Sequence, residues 1–130
     1  MGKFSVGGIT LCFLAAIFLQ GCVIAAVGAG AAGTVAYVRG DLVATEEAKL
    51  DDVYSAALKS VEDLELNLIS DNKDALSGEI VVRDAEDKKI QIKMTAITDN
   101  TTKIAVRIGT FGDERKSRVI YEKIKENLEK

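Results

Sequence analysis

The sequence predicts an α+β fold of two layers, in which a mainly antiparallel sheet of about five strands carries two amphipathic helices on one face. Two different spacings of apolar residues along the chain predict this fold. From residue 66 to residue 108 apolar and polar side chains alternate, which is typical of strands that bury one side. Residues 50–64 and 117–128 instead repeat their apolar positions every three or four residues, as one helix face does. Packing both helices on the apolar side of the sheet gives the order β-α-β-β-β-β-α, after a signal-peptide helix.

The first strand and the first helix are predicted from residues 37–63. Loose alternation from Tyr37 to Thr45 indicates a strand. Thr45 is then a candidate N-cap, because Glu46 and Glu47 follow it and the start of a helix dipole favours acidic residues. The helix is expected to run to about Asp63. Its apolar face consists of Leu50, Val53, Tyr54, Ala57, Leu58, Val61 and Leu64.

Four strands in a meander are predicted next. After a strand at Leu66 to Leu68, the polar run from Asp71 to Asp74 predicts a turn and Ser77 to Arg83 predicts another strand. Asp84 to Lys88 is expected to form a hairpin loop. The last two strands have their apolar-face positions at Ile90, Ile92, Met94 and Ala96, and at Thr102, Ile104, Val106 and Ile108. Lys, Arg and Gln residues alternate with these positions, so the sheet face away from the helices is expected to be polar.

The segment Gly109-Thr110-Phe111-Gly112-Asp113-Glu114 leads into the last helix and is a candidate recognition turn. Thr110 and Asp113 have capping-box spacing, and the two glycines permit a sharp turn. Asp113 and Glu114 are expected mainly to satisfy the helix start. Phe111 is expected to fill the core, and an exposed recognition role for Phe111 is the alternative. The helix is expected to bury Ser117, Ile120, Tyr121, Ile124 and Leu128.

Residues 1–21 are interpreted as a lipoprotein signal peptide. Lys3 precedes an apolar run that ends in Leu19-Gln20-Gly21-Cys22, and this ending resembles the lipobox of bacterial lipoproteins. The resemblance implies cleavage between Gly21 and Cys22. It also implies a diacylglyceryl group on the Cys22 thiol and an acyl chain, such as palmitate, on its amino group. Residues 22–35 are then an Ala/Gly-rich apolar tether, and residues 36–130 are a single α+β domain.

This interpretation places the protein in the bacterial cell envelope, with the membrane as a partner through the lipid anchor and an envelope protein as a further expected partner. Val23 is not the Asp that resembles an inner-membrane retention signal, so the outer membrane, on its periplasmic side, is expected. Residues 22–130 hold all 20 acidic residues and 16 of the 17 basic residues, which gives a formal charge of −4. Nucleic acid is therefore not expected as a partner.

The residue inventory argues against an enzyme. The chain has no His, and its two Cys residues are Cys12, in the predicted signal peptide, and Cys22. Catalytic Ser-His-Asp and Cys-His arrangements are thereby excluded, and zinc loses its preferred ligands. No catalytic residue, metal site or non-covalent cofactor is predicted. The acidic residues of the first helix and its C-terminal end are expected to form a solvated face, namely Asp51, Asp52, Glu62, Asp63 and Glu65.

A glycine motif in the tether has two interpretations. Residues 28–33 match GxGxxG, and Asp51 or Asp52 follows at about the distance seen in dinucleotide fingerprints. That fingerprint requires a strand before the glycines and a helix after them, and neither is predicted here, so no nucleotide is expected. The alternative is a small-residue contact between helices in lipid, through Ala25, Ala29 and Gly33.

Three segments resemble a family of small bacterial lipoproteins that is classified as a domain of unknown function. They are Tyr37 to Leu42, Val53 to Leu64 and Val106 to Glu114. That family is similar to the small Francisella surface lipoproteins, whose fold is related to the BON domain. The resemblance covers nearly all of residues 22–130. It implies a fold and a location but no reaction.

The expected function is a non-catalytic binding or scaffolding module anchored by lipid. The alternative is a carrier of a small apolar or lipid ligand between the helices and the sheet, and an enzyme ranks third. A cavity between the layers would favour the carrier. A filled core with an exposed sheet edge or apolar patch would favour a protein partner. The expected lining of the carrier cavity is Leu50, Tyr54, Val61, Ile92, Met94 and Ile124.

Overall fold

The computed structural model describes residues 35–130, which lie in one compact unit. The predicted signal peptide, the predicted cleavage site at Gly21 and Cys22, and the glycine motif all lie outside the described residues. No helix within residues 35–130 has both the length and the apolar character needed to cross a membrane.

The described chain forms six strands and two helices. The order is β1 (Val35–Val38), β2 (Asp41–Glu46), α1 (Leu50–Asp63), β3 (Asn67–Lys73), β4 (Ser77–Arg83), β5 (Lys89–Thr98), β6 (Thr101–Ile108) and α2 (Glu114–Leu128). The strands form one open sheet in the order β1-β2-β6-β5-β4-β3, and every neighbouring pair is antiparallel. The predicted α+β class is therefore confirmed.

The sheet has six strands and not five, because the predicted first strand folds back on itself. Arg39 and Gly40 both have positive φ angles, of 54° and 90°. Such a pair makes a two-residue hairpin whose twist suits antiparallel strands. Val38 is consequently paired with Asp41, and β1 becomes an additional edge strand.

One predicted turn and one predicted helix start lie elsewhere in the structure. Strand β3 continues to Lys73, and the turn begins at Asp74, whose carboxylate Oδ1 accepts from the backbone nitrogens of Leu76 and Ser77, each at 2.8 Å. Thr45 is not a helix N-cap, since β2 extends through Glu46 and pairs Thr45 with Lys103. Helix α1 begins at Leu50 instead, without a side-chain cap.

The core lies between the helices and one face of the sheet. Ile80, Ile92 and Ile104 come from three strands and are completely buried beneath the helices. Both helices contribute a buried tyrosine whose hydroxyl reaches a carboxylate at the edge of the core. Tyr54 donates to Asp71 on β3 at 2.9 Å, and Tyr121 donates to Glu46 on β2. These contacts join α1 and α2 to opposite halves of the sheet.

Candidate functional site

The turn between β6 and α2 is held by one arginine. Arg107 Nη1 donates to the Arg39 carbonyl oxygen and to Asp41 Oδ1, both at 3.0 Å, while Nη2 donates to the Thr110 carbonyl oxygen at 2.7 Å. One guanidinium group thus joins the β1–β2 hairpin to the turn. A side chain in such a network has few alternative conformations, so the turn is held firmly against the sheet.

Gly112 allows the turn to lie directly on the hairpin. Its φ angle is 80°, and a Cβ at this position would overlap the Gly40 carbonyl oxygen and the Tyr37 hydroxyl. Only glycine satisfies both the positive φ and the close approach. Gly109 also has a positive φ, of 65°, but the space around it is open.

Phe111 is exposed on this turn, and the prediction that it fills the core is wrong. Its side chain is 92% exposed, the highest value among the large apolar residues described as exposed. The physical reason is that Gly112 and Arg107 hold the turn by its backbone, while Ile108 and Ile120 already occupy the core on either side. Val38 is also half exposed, at 53%, in the strand that leads into the contacting hairpin.

The two acidic residues of the predicted recognition turn have intramolecular partners. Asp113 is itself the N-cap of α2, since its Oδ1 accepts from the Lys116 backbone nitrogen at 3.0 Å. The predicted capping box from Thr110 is therefore incorrect, because the helix starts three residues later. Glu114 forms a surface ion pair with Arg118 at 3.0 Å. Of the three predicted residues, Phe111 is the one whose side chain is almost fully exposed to solvent.

The acidic residues of α1 and its C-terminal end lie on an exposed surface. A hydrogen bond from Lys73 lowers the pKa of Asp51, and a hydrogen bond from Asn127 lowers that of Asp63. A general acid at neutral pH needs a raised pKa. Asp52, Glu62 and Glu65 are exposed to solvent. In the described part of the chain, no three His, Cys, Asp or Glu residues are grouped as a metal site.

An apolar cleft of about 310 Å³ opens where the ends of both helices meet the sheet. Its apolar lining includes Leu64, Leu66, Ile90, Ile108, Val119 and Ile120. Lys116 stands at the rim, and its Nζ lies 3.2 Å from Asp84 Oδ2 and 2.8 Å from Glu86 Oε2. These carboxylates raise the pKa of Lys116, so the rim is an ion pair at neutral pH.

The cleft differs from the cavity predicted for a carrier. All six residues expected to line that cavity are buried members of one packed hydrophobic core, so they fill the space between the layers. A residue pattern identifies which side chains face the core but not where the packing leaves space. The cleft arises only because the C-terminal end of α1 and the Asp84–Lys88 loop meet beside α2.

The β3 edge of the sheet is another candidate surface. Every residue of β3 is exposed, including Leu68 and Ile69, and the register shifts between Leu68 and Ser70. A bulge of this kind hinders addition of another strand, which lowers the risk of uncontrolled pairing. The edge is therefore less suited to a partner than the Phe111 turn.

The family comparison covers almost the whole chain. The family described as "Protein of unknown function (DUF3568)" matches residues 6–127, so the chain belongs to that family. No curated protein matches the chain.

Proposed function

We propose that this member of the DUF3568 family is a lipid-anchored protein of the bacterial cell envelope that binds a partner protein and catalyses no reaction. The Leu19 to Cys22 segment supports the anchor, and the resemblance to small bacterial lipoproteins, including those of Francisella, supports the envelope. Cys22 would carry the diacylglyceryl and acyl chains, which hold the domain on the periplasmic side of the outer membrane. The absence of His from the sequence supports a non-catalytic role.

The observation that supports binding most directly is the exposure of Phe111 on an immobilised turn. An aromatic side chain contributes a large apolar area at binding interfaces and has few torsions to immobilise. Since Arg107 and Gly112 already hold the backbone of the turn, little conformational entropy is lost on binding. The turn thus has the properties of an interface anchor.

The anchor is tested by Cys22→Ser, with Cys12→Ser as the matched control. The first substitution removes the acylated thiol, so we expect unprocessed or soluble protein. The second lies in the predicted signal peptide, so the protein should remain in the membrane fraction. Mass spectrometry of the native chain provides a direct readout. An unmodified Cys22 on the mature protein would refute the anchoring proposal.

The binding surface is tested with a photoreactive phenylalanine analogue in the full chain. Placed at Phe111, the analogue should give one discrete cross-linked adduct in intact cells. Placed at Leu76, which is also exposed but lies in a distant turn, it should not give that adduct. Identical adducts at both positions, or no adduct at Phe111, would show that the turn is not the interface.

A second candidate, the carrier of a small apolar or lipid ligand, is favoured by the apolar cleft of about 310 Å³. Ligand pockets begin at about this size. Native mass spectrometry of the purified protein should then detect a bound apolar molecule. Ala85→Trp would fill the cleft and abolish that binding, whereas Leu76→Trp, far from the cleft, would leave it unchanged.

A further inference from the structure

The sheet face that the helices leave uncovered is basic, although the whole chain has a formal charge of −3. Strand register places five cations and two anions on this face, giving a formal charge of +3. They are Arg83, Lys89, Lys93, Lys103 and Arg107, with Asp41 and Glu79. The other residues of 35–130 include 11 basic and 18 acidic residues. The charges are therefore segregated, and most of the acidic excess lies in the loops and strand ends, since the two helices together hold seven acidic and six basic residues.

Three lysines account for the available positive charge on this face. Arg107 pairs with Asp41 at 3.0 Å, and Arg83 pairs with Asp87 at 3.4 Å. Lys89, Lys93 and Lys103 are exposed and form no ion pair within residues 35–130.

The three lysines lie on adjacent central strands. Lys89 and Lys93 are four residues apart on β5, which corresponds to about 13 Å along a strand. Lys103 on β6 is opposite Thr95, and Ala105 is opposite Lys93. Gln91 lies between Lys89 and Lys93, and Glu79 on β4 is opposite Lys93, so the array is spread over an open sheet. This arrangement suits a surface of many phosphates better than a single anion in a pocket.

We propose that this sheet face docks on an anionic phospholipid surface. Each lysine near such a surface strengthens attachment about fivefold. The rest of residues 35–130, with 18 acidic and 11 basic residues, is repelled by the same field, so the domain is oriented with its sheet toward the lipid. The location of that membrane rests on the proposed anchoring. The 13 peptide steps from Cys22 to Val35 extend at most about 45 Å, which is enough for the face to reach the surface.

The test measures lysine acylation on vesicles. The chain purified from membranes is incorporated into phosphatidylcholine vesicles, with or without phosphatidylglycerol, and treated with a water-soluble amine reagent. Labelling of Lys89, Lys93 and Lys103 should slow about fivefold or more on the anionic vesicles and recover in about 0.5 M NaCl. Lys59 and Lys130 are exposed away from this face, so their labelling rates should be equal on the two types of vesicle. Flotation of the protein with the vesicles at high salt tests the lipid anchor separately, because salt weakens the lysine contacts but not the anchor.

Paired charge reversals provide the control. Lys93→Glu with Lys103→Glu should abolish the protection of Lys89, while Lys59→Glu with Lys130→Glu, which changes the net charge equally, should preserve it. Circular dichroism checks that both variants fold. The proposal would be overturned if the three sheet lysines were labelled equally on both vesicle types or if Lys59 were protected. It would also be overturned if both double variants lost the protection of Lys89 equally. Equal protection by a DNA duplex without anionic lipid would also overturn it, in favour of general polyanion binding.

Discussion

At the scale of single residues, the candidate recognition turn depends on two glycines with unequal surroundings. Gly112 has a φ angle of 80° and no room for a Cβ, while Gly109 has a φ angle of 65° in open space. Alanine at Gly109 therefore adds only backbone strain, of about 1–2 kcal/mol. Alanine at Gly112 adds the same strain together with a clash against the hairpin.

We expect Gly112→Ala to lower the free energy of unfolding by about 2 kcal/mol more than Gly109→Ala, because overpacking adds to the strain. Urea unfolding of both variants measures the difference. Equal losses would mean that the turn moves away from the hairpin without penalty, and that Gly112 is not what holds it there.

Asp113 is the second residue whose contribution can be measured. Asp113→Ala removes the acceptor for the Lys116 backbone nitrogen and should lower the free energy of unfolding by about 1 kcal/mol. Glu114→Ala breaks only an exposed ion pair and serves as the matched control, with an expected loss of about 0.5 kcal/mol or less. If Asp113→Ala leaves the melting temperature unchanged but removes partner cross-linking, Asp113 contacts the partner as well.

At the scale of elements, Tyr121 joins α2 to β2. Burial and the hydrogen bond to Glu46 raise the pKa of Tyr121 far above its ordinary value. In the unfolded chain a tyrosine ionises near pH 10. Because the folded protein keeps this proton, the contribution of Tyr121 to stability is complete below that pH and is lost as the pH rises further.

Tyr121→Phe should therefore flatten the alkaline decline in the free energy of unfolding. One retained proton accounts for a slope of about 1.4 kcal/mol per pH unit at most. The slopes of the parent and the variant are compared by urea unfolding between about pH 9 and pH 11, above and below the pKa of an unfolded tyrosine. Parallel slopes would show that the buried hydroxyl ionises as readily as one in water.

At the scale of the whole molecule, residues 36–130 contain every described element except the first residue of β1. All of the core residues lie within this part of the chain. A chain that begins at Ala36 should therefore unfold cooperatively, as a two-layer domain of this size does. Circular dichroism in urea and size-exclusion chromatography test this. If folding required residues 22–35, the domain boundary would lie nearer the N-terminus.

Local patterns were sufficient to predict the α+β class and the buried face of each helix, because side-chain period is a property of neighbouring residues. The apolar positions of α1 from Leu50 to Val61 are buried or half-buried as predicted, and those of β5 and β6 face the core. The predicted location likewise depends on a short segment, Leu19 to Cys22, and that location stays a prediction.

Only the tertiary structure decided what the turn presents to solvent. Phe111 is exposed because Arg107 and Gly112 contact a hairpin about 70 residues earlier in the chain, and spacing along the sequence carries no information about that meeting. The hairpin itself was missed because Arg39 and Gly40 lie inside an alternating run, where only the pairing of Val38 with Asp41 reveals the reversal. The spacing of apolar residues is a local property of the sequence, whereas the exposure of a side chain depends on which distant parts of the chain cover it.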